Sequence, residues 1–188
     1  MRETVVTACG PSDIAASLKS EYPAGVSTLP SRDELLAAIA GHLTDTPAVT
    51  GWARELGDLH ASLIPGAVDP QRRAEGFDEH TVHTGIAEIV AEINSWAVFH
   101  LPRNPAARKH THSLGEVISH VAKTYAEAWW TVLHTAAHGG GEELRHEAWF
   151  HLGEVWEGYA QLVDDINARR VQLPLGWRGV AHAAPSAS

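Results

Sequence analysis

Residues 113–141, SLGEVISHVAKTYAEAWWTVLHTAAHGGG, decide the fold. Ser113-Leu114-Gly115-Glu116 is a capping box: a serine and a glutamate three residues later, each able to satisfy a free N–H at a helix start. Leu114, Val117, Ile118, Val121, Tyr125, Trp129, Val132 and Ala136 then recur at intervals of three and four, which places them on one face of a long helix. Gly139-Gly140-Gly141 stops it. A second stripe follows through Leu144, Trp149, Leu152, Trp156, Tyr159, Val163 and Ile166 toward Arg169-Arg170. A tight glycine turn between two long helices predicts an antiparallel pair, each about 35–40 Å long.

Working back toward the N-terminus, the same periodicity continues. Trp52, Leu56, Leu59 and Leu63 form a helix ended by Pro65-Gly66. Ile86, Ile89, Val90, Ile93, Trp96 and Ala97 form another, from Thr84 to near Pro102, with an earlier start among Arg72 to His83 left open. Ser31-Arg32-Asp33-Glu34 is a second capping box, opening a helix through Leu35, Leu36, Ile39 and Leu43. Pro11 to Tyr22 reads as a short leading helix, and only Thr4-Val5-Val6-Thr7 reads as strand. The expected fold is all-α: an antiparallel bundle of four main helices with one or two short additional ones. Residues 1–30 are expected to be a partly ordered N-terminal segment, 31–174 the bundle domain, and 175–188 a partly disordered tail.

The chain has 188 residues, a formal charge of −9 and 13 histidines, so full imidazole protonation would carry the charge to +4. An acidic chain without a long Lys/Arg run has no nucleic-acid footprint. No apolar stretch reaches the roughly 18 residues of a membrane span, and the N-terminus lacks a signal-peptide core. Cys9 is the only cysteine, which excludes an internal disulfide and a cysteine zinc ribbon. These features predict a soluble cytoplasmic protein.

Thirteen histidines raise metal binding first. His112, Glu116 and His120 stand at i, i+4 and i+8, a spacing that suits zinc or iron if one helix carries all three. Glu116 is also the capping acid and His112 precedes the cap, so the structural reading is preferred. His134 and His138 sit at a helix end, where they favour the negative terminus. His146-Glu147-Ala148-Trp149-Phe150-His151 has one residue too many for the zinc protease motif and turns its histidines about 140° apart. Glu143-x-x-His146 matches half of a di-iron site, but no second copy exists. We expect no resident metal and no cofactor, with a histidine-rich metal-binding bundle kept as an alternative.

The loop from Leu101 to His112 differs in kind. Arg103, Arg108, Lys109, His110 and His112 gather directly before a helix N-terminus, whose free N–H groups and dipole suit a carboxylate, phosphate or sulfate. A solvated basic loop is the competing reading. A Gly-x-Ser-x-Gly elbow and a phosphate loop are both absent. Acid–base chemistry remains open to histidine–carboxylate pairs such as His60 with Asp58, or His151 with Glu147 or Glu154. Of seven tryptophans, Trp52, Trp96, Trp129, Trp149 and Trp156 are expected in the core. Trp130 points about 100° from Trp129, so Trp130 and Phe150 are candidates for a pocket wall or an interface, and Trp177 for a cover on the bundle's end or a docking residue.

The string from His110 to Ala122, His-Thr-His-Ser-Leu-Gly-Glu-Val-Ile-Ser-His-Val-Ala, resembles an uncharacterised family of small helical bacterial proteins with a segment like His-Thr-Glu-Ser/Thr-x-Gly-x-Val-Ile-Asp-Arg-Leu-Ala. Leu59-His60, Ile93-x-x-Trp96, Trp149-x-x-Leu152, Gly158-Tyr159-x-x-Leu162 and Leu173-Pro174 are similar in the same order, covering roughly Ser31 to Pro174. The resemblance implies a helical fold and no established activity. It also marks His60, His110, Thr111 and Tyr159 as candidates for a shared pocket. Where that family tends to carry Glu, Asp and Arg, this chain has His112, Ser119 and His120, which implies different chemistry or a non-catalytic role.

The resulting expectation is a small protein of bacterial specialised (natural-product) metabolism that binds a polar or anionic small molecule. His60, His110, His112 and Tyr159 are its candidate catalytic residues. Arg108, Lys109, Thr111, Ser113, Glu116 and His120 are its candidate ligand contacts. The rival is a non-catalytic accessory subunit of a partner biosynthetic enzyme, or a homodimer, docking through Trp130, Phe150 and Trp177. Sequence does not decide between enzyme and accessory protein.

Overall fold

The computed structural model describes residues 29–43, 48–135 and 141–176. They form five α-helices: α1 (Arg32–Ile39), α2 (Ala48–Val68), α3 (Glu79–His100), α4 (Leu114–Thr135) and α5 (Gly141–Asn167). A 3-10 turn (Pro70–Arg72) follows α2, and two short strands, β1 (Arg108–Lys109) and β2 (Val171–Gln172), pair in parallel. The fold is thus mostly helical, and no helix among the described residues is long and apolar enough to cross a membrane. Thr4–Thr7, Pro11–Tyr22, Cys9, His138 and Trp177 lie outside the described residues.

Both capping boxes form. Ser31 Oγ accepts from Glu34 N–H while the Ser31 N–H donates to the Glu34 carboxylate at 2.8 Å. Asp78 caps α3 by accepting from His80 N–H, so that helix begins at Glu79, a full turn before Thr84. In α2 the helix runs through Pro65 to Val68 rather than stopping at Pro65-Gly66. Proline lacks a donor but its carbonyl still accepts, here from Asp69 N–H at 3.0 Å. The chain leaves α5 at Arg169, in the left-handed region at φ 56°, and turns back to lay β2 along β1.

α4 is the hub. It packs against α2, α3 and α5, while α1 packs against α2 and α5. The core joins Leu35 and Ile39 of α1, Ala53 and Leu56 of α2, Ile89 and Ile93 of α3, Leu114, Ile118 and Val121 of α4, and Tyr159, Leu162 and Ile166 of α5. Leu29 also belongs to it, so the folded unit includes residues before Ser31.

Two tryptophans expected in the core are not there. Trp129 is 47% exposed and Trp149 is 45% exposed. The buried residues of α4 end at Ala128, and those of α5 begin, after Gly141, at Leu152. The tip of this helix pair therefore lies beyond the core, and its stripe faces solvent although the spacing is unchanged. Trp130, expected to be the outward member of its pair, is half-buried and stacks on His134 with ring centroids 3.6 Å apart. Phe150 is exposed, as its place opposite the stripe requires.

Candidate functional site

The basic loop is built into the scaffold. Arg108 forms an ion pair with Asp165 of α5 at 3.1 Å, and Asp165 also holds Arg170 at 2.8 Å. Lys109 Nζ donates to Gln172 Oε1 at 2.7 Å and to the Pro105 carbonyl at 3.2 Å. The His110 backbone N–H donates to the Gln172 carbonyl at 3.0 Å. Arg108, Lys109 and His110 thus stitch the loop to the segment after α5. The helix start beside them is satisfied from within. Ser113 is fully buried; its N–H donates to the Glu116 carboxylate at 2.7 Å, and the Glu116 N–H donates to Ser113 Oγ at 3.4 Å. Hydrogen bonding from the Ser113 backbone holds the Glu116 carboxyl below its usual range. The Gly115 N–H donates to buried Asn94 Oδ1 at 2.8 Å.

The two loop histidines are coupled mainly to each other. His110 Nδ1 lies 2.9 Å from the His112 carbonyl and 3.2 Å from the His112 N–H, and one ring nitrogen serves only one of these at a time. Thr111 Oγ1 lies 2.9 Å from His112 Nδ1. Tyr159 is 1% exposed, and its hydroxyl donates to the Pro30 carbonyl at 2.9 Å. Burial drives its phenol far above the usual range. It pins the chain entering α1 to α5, which corrects its placement in a pocket shared with His60 and His110.

His60 has a different setting. Its Nε2 lies 2.9 Å from Ser119 Oγ, joining α2 to α4. Its ring partner is Ser119 rather than Asp58. Burial first, then the positive charges of Lys123, His83 and His120, push its pKa down to about 4. His120, one residue after Ser119, is held below its ordinary value by burial and by His151, whose ring centroid is 6.5 Å away. His151 pairs weakly with Glu154 at 3.8 Å, not with Glu147. His60 of α2 thus meets Ser119 of α4, Lys123 and His120 of α4 and His83 of α3 bear on the His60 charge, and His151 of α5 stands beside His120.

Glu116 is tied to Ser113, so it does not complete a ligand set with His112 and His120. Among the described residues no three His, Cys, Asp or Glu side chains are grouped to hold a metal ion. His83 also lines an open groove of about 1100 Å³ along α2 and α3, with Trp52, Glu55, Glu88, Glu92 and Gly176. Of these central groups the sequence singles out only His60 and His120. Ser119 enters there only as a departure from the resembled motif, and His83, Lys123 and Asn94 are missed. The available signals were the i, i+4 spacing of Ser119 and Lys123 and an asparagine directly after Ile93.

His60 makes stability depend on pH. Its folded pKa of about 4 lies below the ordinary 6.5, so the unfolded chain binds more protons between these values. Stability should fall as pH drops through that window. A pKa difference of one between folded and unfolded chain corresponds to about 1.4 kcal/mol, and partial solvent contact reduces the expected loss to about 1–2 kcal/mol. In denaturant titrations across the window, wild type should lose about 1–2 kcal/mol more stability than His60→Gln; parallel curves of stability against pH would remove His60 as the cause.

Compared with family models, curated proteins and solved structures, the chain shows no match to any of them.

Proposed function

We propose that this chain is a bacterial helical protein of specialised metabolism that binds a polar or anionic small molecule beside Ser119 and moves protons on it through His60 and His120. The observation that carries this reading is the 2.9 Å contact between His60 Nε2 and Ser119 Oγ in a setting of further histidines. A neutral imidazole facing a hydroxyl is an arrangement that acid–base and nucleophilic chemistry both use. The scaffold would be an antiparallel up-and-down bundle of α2 to α5, working in the cytoplasm, with Arg108, Lys109 and Glu116 holding the loop and helix start in place. His110, Thr111 and His112 would line the exposed approach at that helix start. The test is thermal stabilisation by a set of carboxylate and phosphate-ester metabolites. At least one should raise the melting temperature of wild type, and His60→Gln and Ser119→Ala should each remove most of that rise while leaving the ligand-free fold intact by circular dichroism. Equal stabilisation of all three proteins would reject the reading.

One observation favours a second reading, an accessory subunit. Trp129, Leu133, Leu144, Trp149 and Phe150 are all exposed on the last turns of α4 and the first turns of α5. Exposed clusters of large apolar side chains are what protein partners cover. Under that reading no metabolite stabilises the wild-type chain, and its stability responds instead to substitutions at this tip.

A further inference from the structure

We infer that the groove along α2 and α3 is a second binding site, for an organic ammonium with an apolar body and a hydroxyl or carbonyl oxygen. This goes beyond the proposed function and does not depend on the chemistry beside Ser119. The groove holds about 1100 Å³, enough for a small metabolite. Ile86, Ala87, Ala91 and Leu175 give it an apolar lining, and half-buried Trp52 adds an aromatic wall. Every lining group with a fixed charge is an acid: Glu55 of α2, and Glu88 and Glu92 of α3. Among the described residues no lysine or arginine lines the groove, and no cation pairs with any of these three carboxylates. The lining histidines are His80 and His83, and His83 faces Glu79 at 3.6 Å. Glu88 and Glu92 stand one helical turn apart and repel each other, which a bound ammonium relieves. Trp52 favours the same charge, because the face of an indole ring attracts a cation.

A separate observation points to an oxygen on the same ligand. Asn94 lines the groove and is only 8% exposed. Its Oδ1 accepts from the Gly115 N–H at 2.8 Å, whereas its Nδ2 meets no acceptor among the described residues. A buried amide donor without an acceptor loses the hydrogen bonds that water gave it, and a ligand oxygen restores one. The backbone passes Nδ2 at Gly176, in the left-handed region at φ 81°, where a β-carbon would collide with that nitrogen. Glycine there keeps the donor open to the groove.

Phenylalaninol is the probe, because it joins an ammonium, an aromatic ring and a hydroxyl. Titrations of the full chain at about pH 7.5, above the ordinary imidazole range, should show saturable binding that weakens with added salt. The readouts are calorimetry and the Trp52 indole N–H resonance, assigned through Trp52→Phe. N-acetylphenylalaninol, which carries no charge, and phenethylamine, which has no hydroxyl, should each bind about tenfold more weakly. Glu88→Gln combined with Glu92→Gln, checked for folding by circular dichroism, should weaken phenylalaninol binding about tenfold. Glu142→Gln combined with Glu143→Gln makes the same charge change at the exposed start of α5 and should leave affinity unchanged. Absence of saturable binding, equal binding of the uncharged or the hydroxyl-free compound, full affinity without Glu88 and Glu92, or equal losses in the two double variants would each overturn the site.

Discussion

Replacing Gly115 by alanine should destabilise the protein by about 3 kcal/mol, the upper part of the usual range for overpacking. A β-carbon at Gly115 would collide with the Val90 carbonyl oxygen and come within 3.0 Å of Asn94 Oδ1. The first of these is backbone of α3, so no rotamer change relieves it. α3 and α4 would have to separate, stretching the buried bond from the Gly115 N–H to Asn94. Loss of that bond would leave an amide oxygen buried without a donor, a further cost of about 1–3 kcal/mol. Chemical denaturation with an unchanged slope but a lower midpoint is the expected signature. A midpoint within error of wild type would mean that the helices are not packed this closely.

Tyr159 should separate a strut from a reacting group. Truncation to alanine removes one of the largest fully buried side chains and should cost about 3–5 kcal/mol. Tyr159→Phe keeps the ring and loses only the bond to the Pro30 carbonyl, for about 1–1.5 kcal/mol. Because its hydroxyl faces the backbone before α1, the phenylalanine variant should retain ligand-induced stabilisation in full. Loss of that stabilisation in a folded Tyr159→Phe protein would return Tyr159 to the site.

Much of the fold is legible in the order of residues. The capping boxes at Ser31 and Ser113 mark two helix starts, because a cap is a local interaction within four residues. The apolar stripes mark the helices for the same reason. What a stripe does not encode is where its neighbours stop. Trp129 and Trp149 continue the pattern past the end of the core, so their period is right and their environment wrong. The basic loop misleads differently. Arg108 and Lys109 look free in sequence because their partners, Asp165 and Gln172, lie more than fifty residues away. His60 and Ser119 are 59 residues apart, and nothing local to either announces the other. The resembled motif points to both positions separately; only the packing of α2 against α4 brings them together.

The central claim is that His60 is a neutral, part-buried imidazole held against Ser119 of α4. Titration of the histidine ring resonances by NMR, with His60 assigned through its glutamine variant, tests it most directly. His60 should keep the shifts of a neutral ring down to about pH 5 and protonate near its depressed value of about 4, well below the ordinary 6.5. A His60 resonance that titrates at the ordinary value would contradict the burial, the contact with Ser119 and the functional reading built on them.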